Sequence, residues 1–227
     1  MWQSIRTSAL GRHVHKEGYA ALVLSGGYEE AGDHGRFQVK AGSVVFHDQF
    51  EAHLNRFCQT GAVVLNLQLP IGCSYTPGIA SVTDPDSVVR AAEGSRRDAV
   101  DLLFSAARSE MPQLADWPDV LAAALMKNPS VKLSEWGEGN GILPWAVSRG
   151  FALVFGVSPE TFRARIRARY ALQSIRDTQA PLVRIAAELG FADQSHMSRS
   201  VKQLTGIGPR AWRSTANGFK TKRRLDV

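Results

Sequence analysis

Ser195, Arg199 and Lys202 fall at spacings that gather them on one side of a helix, with Gln194 at its start. From about Asp193 to Leu204, the apolar residues Met197, Val201 and Leu204 recur every three or four positions. At roughly 100° per residue, Ser195, Arg199 and Lys202 lie within about 60° of one another on the opposite side, flanked by Ser198. A guanidinium such as that of Arg199 suits the edge of guanine, and the amide of Gln194 suits adenine. Lys202 and Arg184 are better matched to phosphate oxygens, which position a protein on a duplex without reading its sequence.

A second element must hold that helix. Leu182, Ile185, Ala186 and Leu189 form the apolar stripe of a preceding helix, and Gly190 stands where a left-handed residue would stop it. A short helix, a tight glycine turn and a helix with a basic outer face are the arithmetic of a helix-turn-helix. The plain alternative on periodicity alone is a helical hairpin with a solvated charged face.

The chain as a whole has 227 residues, 44% hydrophobic and 21% charged, with a mean hydropathy of −0.15. These values predict a folded globular protein and exclude a disordered one. The longest apolar runs, such as Ala20–Leu24 and Ala62–Leu69, fall far short of the roughly 20 residues that span a bilayer, so no membrane segment is expected. The first residues lack a basic stretch followed by an apolar one, and a cytoplasmic setting is expected. Cys58 and Cys73 do not make a disulfide framework, and buried, unreactive thiols are the default expectation.

Charge divides the chain. Residues 1–130 hold 11 Lys/Arg and 14 Asp/Glu, a net of −3, whereas residues 131–227 hold 16 and 7, a net of +9. A basic half suggests a polyanionic partner, with nucleic acid foremost. Five of the six histidines, at 13, 15, 34, 47 and 53, lie in the acidic front. His13 and His15 alternate, so on a strand they would share a face.

Residues 18–70 read as short strands punctuated by glycine turns: Tyr19–Leu24 closed by Ser25-Gly26-Gly27, then Arg36–Lys40, Ser43–His47 and Ala62–Leu69. Glu29, Glu30 and Asp33 read as a solvated loop. Asp84-Pro85-Asp86-Ser87 starts a helix, Asp98–Arg108 continues with helical periodicity, and Pro118–Lys127 is a further short helix. Residues 86–110 either cover their own sheet or pair with a second copy. Asn128-Pro129-Ser130 marks a boundary before the helical, basic remainder.

The stretch Ile185-Ala186, Gly190-Phe191, Asp193-Gln194-Ser195-His196-Met197-Ser198-Arg199, Lys202, Gly206, Gly208-Pro209 and Trp212-Arg213 resembles the second helix-turn-helix of the AraC/XylS-type transcription regulators. The resemblance implies two helix-turn-helix units joined by one long helix. Val147–Pro159 resembles the end of the first unit, and Phe162, Arg167 and Ala171 resemble the linking helix. By the same resemblance Trp145, Ser148 and Arg149 lie on the first recognition helix, and Gln194, Ser195 and Arg199 on the second. The first unit departs from the pattern in Gly137, Gly139, Gly141 and Gly150, each interior glycine costing up to about 1 kcal/mol of helix stability. The first unit is therefore expected to be the less stable. Ala192 replaces a frequent capping Ser, leaving Asp193 to cap the helix.

In the front half, His13-x-His15, the Gly26-Gly27 turn, Gly42-x5-Asp48 and His53-x-Asn55 resemble the two motifs of a cupin-type β-barrel. That resemblance implies His13, His15 and His53 as ligands of a divalent metal; polar groups lining a small-molecule pocket and incidental surface histidines are the two other readings. Its usual carboxylate falls near Tyr19, and Glu17 stands two residues early. The cofactor stays open, a divalent transition metal being one candidate.

The expected architecture is α+β: a cupin-like sensor barrel (1–82), a helical connector (83–128), a DNA-binding domain with two helix-turn-helix units (129–218) and a basic tail (219–227). The expected function is a sequence-specific transcription regulator, a homodimer on double-stranded DNA that answers to a small-molecule effector. Two other readings are a metal-dependent cupin-type enzyme with a basic nucleic-acid-binding appendage, and a DNA-repair enzyme using a reactive cysteine. The first needs a complete ligand set, and the second a recognisable thiol site.

Overall fold

The computed structural model describes residues 2–6, 8–70, 73, 75–110 and 116–215. The basic run Lys220–Arg224 lies outside the described residues. The chain is of mixed α and β class, with an N-terminal sheet and C-terminal helices. It forms two compact units: residues 1–123 with 145–157, and residues 124–144 with 158–227.

The first unit is built on eight antiparallel strands: β1 (Trp2–Ile5), β2 (Ala9–Val14), β3 (Tyr19–Gly32), β4 (Gly35–Lys40), β5 (Ser43–His47), β6 (Ala52–Gln68), β7 (Gly78–Ser81) and β8 (Arg108–Ser109). Their order is β1-β6-β3-β5-β7-β8, with β2 also on β6 and β4 also on β3. The sequence places a strand end at Ser25-Gly26-Gly27. Instead β3 runs through it, and those residues form an irregularity in the β3–β6 register. Gly26 and Gly61, both with left-handed φ (72° and 70°), let the two strands cross closely there. A Cβ on Gly61 would lie 2.1 Å from the Ile5 carbonyl oxygen.

Because β3 continues, Glu29, Glu30 and Asp33 do not form a solvated loop. Glu30 and Asp33 are fully buried. Asp33 pairs with the Arg12 guanidinium and accepts the Ala52 N–H at 3.0 Å.

Strand alternation splits the core in two. Ala20, Leu22, Val44, Phe46, Leu65 and Leu67 face one way, and Ala21, Val23, Val45 and Val64 the other. Both sides are apolar, which is why these strands read as unbroken apolar runs. Helices α1 (Pro85–Gly94) and α2 (Arg96–Ala106) bury Val88, Ala99, Val100 and Leu103 in the first of these clusters. The apolar faces of residues 86–110 thus cover their own sheet. Asp84 and Ser95 cap the two helices through the N–H groups of Ser87 and Asp98.

Three further helices follow along the chain: α3 (Trp117–Lys127), α4 (Leu133–Gly139) and α5 (Pro144–Phe155). Arg36 of β4 holds Asp119, at the start of α3, at 2.6 and 2.9 Å. The second unit contains α4, α6 (Pro159–Asp177), α7 (Leu182–Glu188) and α8 (Gln194–Thr205). Along α6, Phe162, Ile166, Ala171, Leu172 and Ile175 are buried. Arg163 and Arg167 donate to the Val131 and Pro129 carbonyls, so two arginines of this helix fasten the chain. Trp212 and Arg213 do the same from the C-terminal side, donating to the Leu172 and Ala180 carbonyls at 3.2 and 2.8 Å.

Cys58 is exposed, in the outward stretch 58–60 beside Gly61, and so departs from the expected buried thiol. Among the described residues no helix is long and apolar enough to cross a membrane.

The Gly61→Ala variant is expected to lose about 1–3 kcal/mol from its left-handed backbone alone, and more from the clash with Ile5. Thermal unfolding followed by circular dichroism checks this. Gly94→Ala, at the end of α1 where a Cβ meets open space, serves as the control, with a midpoint that is not lowered.

Candidate functional site

The candidate residues fall into two groups, one of nucleic-acid-facing side chains and one of histidines. In the second unit, α7 ends at Glu188 with Leu189 as its C-cap, and Gly190 turns the chain with φ 70°. The turn matches the sequence expectation that a left-handed glycine stops the first helix. Asp193 then caps α8, its carboxylate accepting the His196 N–H at 2.6 Å. Met197 and Val201 are fully buried and seat α8 on its neighbours, with Leu204 partly buried. The outward face carries Ser195, Arg199 and Lys202, all exposed, with Ser198 half-buried at its edge and Gln194 exposed in the first turn. Arg184 on α7 is exposed and pairs with Glu188 at 2.7 Å. Exposed Arg and Lys on a rigidly seated helix can reach base edges and phosphates without any chemical step.

Trp145, Ser148 and Arg149 lie on α5 and are all exposed, Trp145 to 66%. This helix belongs to the first unit, whereas α4 belongs to the second. Its glycines have local causes. Gly150 makes room for the Trp117 indole, where a Cβ would lie 2.4 Å from Cζ2. Gly156 closes the helix with φ 72°. The last carbonyls of α5 face two sheet arginines. Arg12 Nη1 donates to the Phe155 carbonyl at 3.1 Å, and Arg56 Nη2 to those of Leu153 and Val154 at 2.6 and 3.1 Å. A helix C-terminus leaves carbonyls unpaired and carries partial negative charge, so guanidinium groups suit it. Arg56 also reaches Glu29 at 3.0 Å, and Arg12 the Ala31 carbonyl at 3.2 Å.

The histidines form the second group. A cavity of about 710 Å³ in the first unit is lined by His13, His15, Tyr19, Glu30, His47 and His53 among others. Alternation along β3, β5 and β6 places Tyr19, Glu30, His47, His53 and Asn55 on the face shared with Ala21, Tyr28 and Val45. His13 opposes His53 in the β2–β6 register, and their rings stand 4.4 Å apart. His15 lies 5.4 Å from His53, and His47 lies 4.3 Å from it. The three histidines implied by the cupin resemblance therefore come together, with ligand atoms within 4.8 Å of one another. His13 Nδ1 donates to the Gly11 carbonyl at 2.8 Å, which leaves Nε2 as its acceptor. The donor set thus fits a divalent ion in its imidazoles. Where the resemblance places a carboxylate, Tyr19 supplies a phenol, 3.3 Å from His53 Nε2, while Glu17 is taken up by Gln68.

The sequence reading missed Glu30 and His47. Both are fully buried, with His47 Nε2 3.6 Å from Glu30 and its Nδ1 3.6 Å from Glu51. Asn55 donates to Glu30 at 3.0 Å. Burial pushes the Glu30 carboxyl up to about 7, against the pull of His47. Burial works against the charged form of His47, but Glu30 and Glu51 outweigh it and raise its pKa. Burial, then the positive charge of His47, lowers that of His53. His15 is lowered by burial and by His13. The signal in the sequence was the alternation Val45–His47 running into His53, hidden because the strand carrying Glu30 seemed to end at Gly27.

Residues 138–215 match the helix-turn-helix domain family. Over 105 residues the chain is 28% identical to the virulence regulon transcriptional activator VirF of Yersinia enterocolitica, a match covering 40% of this chain and 39% of that one. Over 78 residues it is 32% identical to the HTH-type transcriptional regulator ExsA of Pseudomonas aeruginosa, covering 34% of this chain and 28% of that one. The chain thus spans well under half the length of these curated relatives. It is also similar to the solved structure of ToxT from Vibrio cholerae, at 10% identity and a TM-score of 0.46 over 96% of this chain and 98% of that one; so distant a likeness carries no argument. The C-terminal part of the chain carries a helix-turn-helix domain of the kind these transcription regulators contain.

Arg56→Ala is expected to free the Leu153 and Val154 carbonyls and fray the end of α5. Amide exchange at 153–156 should rise about tenfold, the equivalent of about 1.4 kcal/mol for charge-assisted bonds discounted for a half-exposed arginine. Hydrogen exchange read by mass spectrometry checks it, with β3 amides unchanged.

Proposed function

We propose that the chain is an AraC/XylS-type transcription regulator that binds double-stranded DNA in a sequence-specific way. The observation that carries this reading is the α7–Gly190–α8 unit. Its second helix is capped, buried on one face and lined with exposed Ser195, Arg199 and Lys202 on the other, with Gln194 exposed in its first turn. The helix-turn-helix match over 138–215 supports it. Arg199 and Gln194 read base edges, Ser195 and Ser198 flank them, and Lys202 and Arg184 meet phosphates. Residues 129–218 form the DNA-binding domain, in which α4 and α5 are the first helix-turn-helix unit, α6 the link, and α7 and α8 the second. Trp145, Ser148 and Arg149 are the base-facing side of α5. The protein works in the cytoplasm as a homodimer on paired half-sites.

The sensor is a cupin-like domain over residues 1–82, followed by a helical connector over 83–128. A small-molecule effector enters the cavity beside His13, His15 and His53. Regulation needs no catalysis, only an effector that binds one arrangement more tightly than another. Arg12 and Arg56 give a physical route. They neighbour His13 and Asn55 of the cavity and hold the end of α5. A ligand that shifts β2 or β6 changes how firmly α5 is held.

Phosphate contacts release counterions, so affinity should fall steeply as salt rises. Arg199→Ala is expected to lose roughly 1–3 kcal/mol on the preferred site and to relax selectivity at one base position. Fluorescence anisotropy against matched and scrambled duplexes checks this. Equal affinity of wild type and variant on both duplexes would remove Arg199 from the interface.

A further inference from the structure

A second, deeper triad lies behind the three histidines. Glu30, His47 and His53 each offer a ligand atom within 4.8 Å of the other two, and all three are buried. Burying a polar atom without a partner is unfavourable unless something satisfies it. Glu30 Oε1, both ring nitrogens of His47 and His53 Nδ1 have no hydrogen-bond partner, and all three residues line the cavity. The supporting residues are already ordered. Asn55 fixes the other Glu30 oxygen at 3.0 Å. The Asp48 N–H fixes one Glu51 oxygen at 2.8 Å. The other Glu51 oxygen stands 3.6 Å from His47 Nδ1. A carboxylate behind one ring nitrogen turns the other nitrogen outward as a metal ligand.

We propose that Glu30, His47 and His53 bind one divalent transition-metal ion as a two-histidine, one-carboxylate site opening toward His13 and His15. This set suits Fe²⁺, Zn²⁺ or Mn²⁺ and leaves coordination positions for a ligand in the cavity. The outer group, His13, His15 and the shared His53, offers three imidazoles without a carboxylate, and only His53 of the three is buried. The inner triad adds a carboxylate to offset the ion's charge. The proposal rests on the sensor reading of this cavity and makes the metal a part of effector recognition.

The test uses the full chain, stripped with a chelator and titrated with Zn²⁺ and with Co²⁺, followed by calorimetry and X-ray absorption at the zinc edge. One equivalent is expected, with two imidazoles and a carboxylate in the first shell of the wild type. Glu30→Gln and His47→Gln should each weaken uptake more than about a hundredfold, beyond the usual loss from a supporting residue. His13→Ala and His15→Ala should bind the ion as the wild type does. Uptake lost in His15→Ala but kept in Glu30→Gln would move the ion to the outer histidines and overturn the proposal. So would three imidazoles at the wild-type zinc edge, a reading that does not depend on any variant folding. Absence of stoichiometric uptake would overturn it too, leaving Glu30 and His47 as a proton-sharing pair. DNA affinity measured on the same samples separates the two failures. Intact DNA binding without metal uptake refutes the metal site alone, whereas metal uptake without sequence preference refutes the regulator.

Discussion

The pairing of β3 with β6 is the constraint on which the first unit depends. These strands of 14 and 17 residues stay in antiparallel register on both sides of a glycine crossing. That register sets Glu30 opposite Asn55, Tyr28 opposite Phe57 and Gly32 opposite His53. A slip of one residue would turn every one of these side chains to the other face. The same crossing brings β2 alongside, and with it His13 and Arg12. Cavity, buried carboxylates and the grip on α5 therefore share one backbone cause.

Arginine fastens both units. Arg12 and Arg56 hold the carbonyl end of α5, Arg36 holds the start of α3, and Arg163, Arg167 and Arg213 hold carbonyls in the second unit. Guanidinium groups suit this role because their donors are planar, numerous and always charged. The net basic charge of residues 131–227 is thus not all available to a polyanion. On α8, Arg199 and Lys202 are exposed on one face.

Legibility in the sequence followed the range of the interactions. Helix α8, its Asp193 cap, the Gly190 turn and the apolar seam of Met197 and Val201 depend on neighbours a few residues away, and periodicity revealed them. The start of α1 at Asp84 was legible for the same reason. The histidine cavity was legible only in part. His13 and His15 announce themselves by alternation, but Glu30 and His47 join them through a register set by Gly26 and Gly61. A glycine pair that marks a turn in sequence here marks a strand crossing, so residues beyond it were read as solvated when they are buried. Gly150 likewise reads as a weak point in a helix until Trp117 is seen against it.

The central claim, sequence-specific DNA binding through α8, is tested most directly by selecting bound fragments from a random-sequence duplex pool. The purified full chain is used at near-physiological salt with competitor DNA. The account predicts one recurrent motif, with half-sites about one helical turn apart. Retention of DNA without any enriched sequence would contradict it, leaving the basic face of α8 as a non-specific polyanion surface.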